Sequence, residues 1–201
     1  MLDYSFEEKC QQEVIVGIDE VGRGPLAGPL IAAATILDSK KIPCGINDSK
    51  QIPRHQREKI FDQLMQNAIC AVGIVSVGEL NNMNLNKALE MAIQRAISSL
   101  SIKPTLALID GNLTFDLPCK MIPIVKGDQQ IVSIAAASII AKVTRDRVMR
   151  ELDQYYPHYL WKQNVGYGTE AHIEAIYKYG ITDHHRLKFA PIRRMLEKEN
   201  R

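Results

Sequence analysis

Apolar residues along this chain fall into two patterns, short β-branched runs and longer stretches with helical spacing. Residues 14–19 (VIVGID) form an apolar run that ends in charge and meets a Gly/Pro-rich stretch, which predicts a buried strand entering a tight turn. Residues 30–37 (LIAAATIL), 70–77 (CAVGIVSV), 105–110 (TLALID) and 120–125 (KMIPIV) predict four further strands. Residues 53–69 carry Ile60, Phe61, Leu64, Met65 and Ala68 at helical spacing, with a proline near the start, where helices accept one. The cleanest helical face lies on 84–100, where Leu85, Ala88, Leu89, Ala92, Ile93, Ala96, Ile97 and Leu100 share one side. Residues 131–155 predict a long helix whose opening, SIAAASIIAK, is small enough to lie close on a sheet. Shorter helices are predicted over 169–179 and 192–200.

Strands alternating with helices predict an α/β architecture, a central sheet flanked by helices. The first two strands are close enough in sequence to form a hairpin, which makes the sheet mixed. No repeat or linker interrupts the chain, so residues 1–201 are expected to form one domain. Its catalytic α/β core would span about 14–150 and its helical C-terminal part about 151–201. In such sheets, sites form outside the carboxyl ends of parallel strands. Function is therefore sought where strands end in charge.

Charged residues make up 24% and hydrophobic ones 46%, which excludes a disordered, collagenous or coiled-coil chain. The four cysteines lie far apart with no CxxC pair, which suggests neither a disulfide framework nor a zinc knuckle and points to reduced thiols. The N-terminus shows no signal peptide. The longest near-apolar stretch, 131–141, contains two serines and falls short of the ~20 residues that span a bilayer. A soluble, cytoplasmic, monomeric protein without membrane partners is expected. Residues 1–141 hold 13 basic and 15 acidic side chains, against 12 and 8 in residues 142–201. That basic C-terminal third is compatible with a polyanionic partner.

Two predicted strands end in acid, at Asp19-Glu20 and at Asp110, and a third acid, Asp128, precedes the long helix. Taken singly, strand-end acids face solvent and an Asp before a helix caps it. Taken together, parallel neighbouring strands 14–19 and 105–110 would set Asp19 beside Asp110. Asp19 and Glu20 would converge only if the strand ended between them, since successive residues point to opposite faces, and the following Gly-Arg-Gly-Pro is expected to supply that break. Clustered carboxylates stay ionised together only with cations between them. Oxygen-only ligands select Mg²⁺ or Mn²⁺ over zinc, and two such ions about 4 Å apart can drive phosphodiester hydrolysis. The pair His184-His185 reads as a polar loop.

The turn Gly22-Arg23-Gly24-Pro25-Leu26-Ala27-Gly28-Pro29 lacks the Walker pattern, and the third glycine of GxGxxG is replaced by Ala27. Its glycines would admit a sugar or phosphate close to the backbone, and Arg23 offers a phosphate fork. Lys50, in Asn47-Asp48-Ser49-Lys50, could contact phosphate. Tyr167, flanked by Gly166 and Gly168, could stack on a base or sugar, or simply cover a helix end, with Thr169 as the helix cap.

These blocks resemble, in order, the signature of bacterial ribonuclease HII. GIDEVGRGPLAGP at 17–29 is followed by NDSK at 47–50, DGN at 110–112 and KGD at 126–128. SIAAASIIAKVTRD at 133–146 and GYGT at 166–169 complete the series. The resemblance implies an RNase H-like fold and a metal-dependent endonuclease. Such an enzyme cuts the RNA strand of RNA–DNA hybrids and nicks duplex DNA 5′ of embedded ribonucleotides, leaving 5′-phosphate and 3′-hydroxyl ends. It also implies that Asp19, Glu20, Asp110 and Asp128 are catalytic, that Asp19, Glu20 and Asp110 bind Mn²⁺ or Mg²⁺, and that Gly22, Arg23 and Gly24 read the 2′-hydroxyl at the RNA–DNA junction. Tyr167 would stack on the adjoining deoxyribose, with Lys50 and Thr169 as further substrate contacts. The chain departs from the family at Asn164-Val165, commonly His-Lys, and at Leu187-Lys188, commonly Arg-Ser. A hybrid-binding module without activity is disfavoured by four intact acids. A nucleotide-binding phosphotransferase is disfavoured by the missing Walker lysine.

Overall fold

The computed structural model describes residues 2, 4–10 and 13–199. Its strands are β1 (Ile15–Val21), β2 (Leu30–Ile36), β3 (Ile69–Val75), β4 (Leu106–Asp110) and β5 (Lys120–Ile124), in one sheet of order β3-β2-β1-β4-β5. β1 runs antiparallel to β2 and β2 to β3, whereas β1–β4 and β4–β5 are parallel. The sheet is mixed, as the short β1–β2 connection requires. Pro123 lies on β5, an edge strand, where its missing N–H removes no hydrogen bond from the sheet interior.

The period-2 alternation of the strands sorts side chains between two faces. Val16, Ile18, Ala107 and Ile109 pack with α4 (Leu85–Ser98), whose Leu89, Ala92, Ile93 and Ala96 form the stripe read from the sequence. On the other face lies α5 (Val132–Tyr155), which shares a core with α2 (Arg54–Asn67) through Ala136, Ile139, Ile140, Phe61 and Leu64. Gly17 points at the start of α5, and a Cβ there would run into the Ser133 carbonyl group. Gly17→Ala is therefore expected to cost about 1–3 kcal/mol by overpacking. Urea denaturation would show it as a lowered midpoint.

The pattern misses the short helices α1 (Ser5–Glu8), α3 (Val77–Asn82) and α6 (Trp161–Asn164). Too short to show a period, α3 is set by a capping box between Ser76 and Glu79. The helices α7 (Glu170–Tyr179) and α8 (Ala190–Glu199) lie within two residues of the expected bounds. With the end of α5 and with Leu26 and Ala27 they enclose a separate core around Met149, Tyr159 and Trp161.

His184-His185 is not a polar loop. His185 is fully buried, its ring 4.9 Å from Tyr159 and 5.4 Å from both Trp161 and His172. Trp161 Nε1 donates to His172 Nε2 at 3.0 Å, which leaves the His172 proton on Nδ1 to donate to the Tyr167 carbonyl at 2.9 Å. Thr182 N–H donates to His185 Nδ1 at 2.9 Å, so both rings are held neutral. Burial first, and the His172 ring second, hold the His185 pKa down at about 4. An unfolded histidine titrates near 6.5, so between ~6.5 and ~4 only the unfolded chain takes up this proton. Stability is complete above that window and is lost as pH falls through it. The melting temperature should drop as pH is lowered across it, and a flat profile would contradict the buried neutral pair.

Candidate active site

The parallel register Ile18↔Ile109 brings the next residues, Asp19 and Asp110, to the same end of adjacent strands. Strand parity places both on the α5 face, with Gly17 and Leu108. Asp110 Oδ1 accepts from Gly127 N–H at 2.7 Å, which ties down the loop after β5 and delivers Asp128 on a single 3₁₀ turn (Gly127–Gln129). Asp19, Asp110 and Asp128 each offer an oxygen within 4.8 Å of the others.

Two of these acids, Asp19 and Asp128, are buried. Burial raises the Asp19 pKa well above the carboxylate range, and the charges of Glu20 and Asp110 raise it further. Burial, then Asp110 and Asp48, raise that of Asp128. The nearby cation is Lys50, whose side chain is 80% exposed and whose Nζ stands 4.0 Å from Asp128 Oδ2. Three convergent carboxylates with a solvent-screened lysine beside them fit a hard divalent cation, which would offset their mutual repulsion.

Glu20 lies outside this triple. The strand does not end after Asp19 but pairs with β2 as far as Val21↔Ile31, so Glu20 is sent to the opposite face. Its Oε1 accepts from Arg23 at 3.3 Å. Burial raises its pKa while Arg23 pulls it back. Nor does Asp128 cap the long helix. The N-cap of α5 is Ile131, with no side-chain cap bond. Asp128→Asn should accordingly slow cleavage without lowering the melting temperature. The opposite result, full speed with lost stability, would restore the capping role.

Asp48 went unnoticed in the sequence, where Lys50 drew attention to the same motif. It is buried, and its Oδ2 accepts from Gln129 at 3.3 Å and Gln51 at 3.4 Å, which brings a further carboxylate up to Asp128.

Gly22 adopts φ +95°, and a Cβ there would lie 2.5 Å from Arg145 Nε and 2.7 Å from the Pro29 carbonyl oxygen. Gly24 has room for a Cβ. The atom within reach is Tyr167 Cε1 at 3.6 Å, so the turn and the tyrosine adjoin. Tyr167 is 44% exposed. Thr169 is the N-cap of α7, its hydroxyl accepting from His172 N–H.

Part of the basic C-terminal third is buried or paired, while Lys162, Lys178, Lys188, Arg193 and Arg194 are exposed. Arg145 and Arg186 are buried. Arg147 and Arg150 pair with Glu58 at 2.6 and 2.8 Å, and Lys142 with Asp146 at 2.7 Å. A charge count cannot see these pairings, which leave the exposed lysines and arginines to carry the basic surface. At the two departures from the family pattern, Val165 adopts φ +43° with its carbonyl on Arg145, and Leu187 N–H donates to Asn81 Oδ1.

The sequence profile of the family described as Ribonuclease HII matches residues 16–192. A ribonuclease HII of Rickettsia bellii (strain OSU 85-389) is 48% identical over 184 residues, covering 92% of this chain and 93% of that protein. Among solved structures, ribonuclease H2 from Pyrococcus horikoshii OT3 superposes with a TM-score of 0.80 at 29% identity, covering 93% of this chain and 99% of that one. Bst-RNase HIII in complex with Mn²⁺ superposes with a TM-score of 0.74 at 23% identity, covering 93% of this chain and 70% of that one, a likeness of fold. No helix among the described residues is long and apolar enough to cross a membrane.

Proposed function

The chain belongs to the ribonuclease HII family and is a metal-dependent endoribonuclease, and from that premise we propose how its site selects and cuts its substrate. The substrates are RNA–DNA hybrids and duplex DNA carrying single ribonucleotides. The second is nicked on the 5′ side of the ribonucleotide, leaving 5′-phosphate and 3′-hydroxyl ends. One observation carries this reading: three convergent carboxylates on a sheet edge that also bears a glycine turn adjoining an exposed tyrosine.

Asp19, Asp110 and Asp128 would hold the cation, Mn²⁺ or Mg²⁺, and Glu20 would join them from the other face of β1. The oxygen-only donor set and the Mn²⁺ held by the structurally similar Bst-RNase HIII support that choice. When bound, the metal supplies activation of the attacking water and neutralisation of the leaving oxygen. The protein's own groups place the substrate. Lys50, exposed beside Asp128, meets a phosphate and offsets its charge. Gly22, Arg23 and Gly24 present backbone to the ribose, whose 2′-hydroxyl both donates and accepts. Tyr167 covers the next sugar. Thr169 acts through its cap on α7, which fixes the loop carrying Tyr167. In this reading residues of about 14–150 supply the chemistry, and the helical part of about 151–201 contacts the duplex. Four free thiols suit a reducing, cytoplasmic compartment.

A titration of Mg²⁺ and of Mn²⁺ against cleavage of a duplex with one ribonucleotide tests the proposal. Metal-dependent nicking at the 5′ side of that residue is expected. Cleavage in excess chelator, or none at any metal concentration, would refute it.

A further inference from the structure

Arg145 and Arg186 are an unusual pair, two guanidiniums sealed from solvent with backbone carbonyls rather than carboxylates as partners. Among the described residues no carboxylate bonds to either. Arg145 donates to the carbonyls of Pro29 (3.0 Å), Ala27 (3.0 Å) and Val165 (2.8 Å). Arg186 donates to those of Gly28 (2.7 Å), Pro29 (3.1 Å) and Arg23 (3.2 Å). Burial pulls their pKa values down to about 10 and about 9, still far enough above neutrality to keep both charged. Burying charge is costly, so six hydrogen bonds concentrated on one turn point to a need for that turn's geometry. The segment that carries Arg186 is itself laced to the turn, with Gly28 N–H on the His184 carbonyl at 2.9 Å and Arg186 N–H on the Leu26 carbonyl at 2.8 Å.

The bond to the Arg23 carbonyl has a particular consequence. A trans peptide is planar, and its C=O and N–H point in opposite directions. Holding the Arg23 carbonyl inward turns the N–H of Gly24 outward. Gly24 is exposed, and among the described residues nothing accepts from its N–H. Tyr167 also adjoins Gly24, its Cε1 lying 3.6 Å from where a Cβ on that residue would stand.

We infer that Arg186 is a positioning residue for substrate selection: by holding the Arg23 carbonyl it aims the Gly24 N–H at the ribose 2′-hydroxyl. The inference rests on the turn reading the sugar, as proposed above. Arg186→Lys keeps the charge and can reach one carbonyl, but it cannot hold three at once.

The test compares the KM for a duplex with one ribonucleotide against the inhibition constant of the same duplex made wholly of DNA, in Mg²⁺, for wild type and Arg186→Lys. Losing one aimed hydrogen bond should shrink the ribonucleotide preference about three- to tenfold, with inhibition by DNA unchanged. If both constants rise together with the ratio intact, Arg186 is merely structural and the inference fails. A wild type that shows no preference would instead refute sugar reading by the turn. Should the variant not fold, amide exchange at Gly24 in the wild-type protein decides. Fast exchange in the free protein, slowed by the ribonucleotide duplex but not by DNA, is expected. Protection already present in the free protein would overturn the inference.

Discussion

Asp110→Asn is expected to abolish cleavage while leaving binding of RNA–DNA hybrid unchanged or tighter. Asp110 is the hinge of the carboxylate triple, adjacent in register to Asp19 and bonded at 2.7 Å to the Gly127 N–H that delivers Asp128. The amide oxygen of asparagine still accepts that bond, so the local fold should persist. What disappears is one unit of negative charge among three oxygens within 4.8 Å. Lewis-acid stabilisation is worth several kcal/mol, so the loss should reach on the order of a thousandfold in kcat. The same change relieves repulsion of the substrate phosphates, hence the retained or improved affinity. Single-turnover cleavage and a binding titration of the same variant would check both halves. Near-normal turnover in saturating Mg²⁺ would remove Asp110 from the metal shell.

Tyr167→Ala should erode the preference for a single embedded ribonucleotide over continuous hybrid, with metal dependence unchanged. The half-exposed ring lies at the Gly24 turn, and its backbone carbonyl is pinned by His172 Nδ1 at 2.9 Å. A flat ring held against the next sugar tolerates a deoxyribose, whereas an added hydroxyl would meet it without a partner. An unmet hydroxyl costs roughly 1–3 kcal/mol, or about ten- to hundredfold in rate. The measurement is kcat/KM on two matched substrates, one ribonucleotide in DNA and an all-RNA strand in hybrid. An unaltered ratio in the variant would leave Tyr167 as packing at the start of α7.

Much of this was legible in the chain itself. Residues 84–100 and 131–155 show a sustained helical period, and their helices begin and end within two residues of expectation. The short apolar, β-branched runs, bounded by glycine, proline and charge, marked all five strands. The acids at strand ends pointed to the site only when taken together, since each alone reads as a solvent-facing or capping group. These signals are local, carried by side chains a few positions apart, and periodicity reports them directly.

Whatever depended on pairing across the chain was decided only by the tertiary structure. β2 continues to pair with β1 through Val21, so Glu20 leaves from the other face of β1 and takes Arg23 as its partner, while its charge still reaches Asp19 and Asp110. Asp128, read as a possible helix cap, is one 3₁₀ turn too early and belongs to the carboxylates. Arg145 and Arg186 counted as basic surface, yet carbonyls 20 to 163 positions away hold them buried, and Arg147 and Arg150 are paired at the surface with Glu58. A charge in the sequence states only that a counter-group or water must be found. Which one it finds depends on strand order and helix packing, and those are properties of the whole chain.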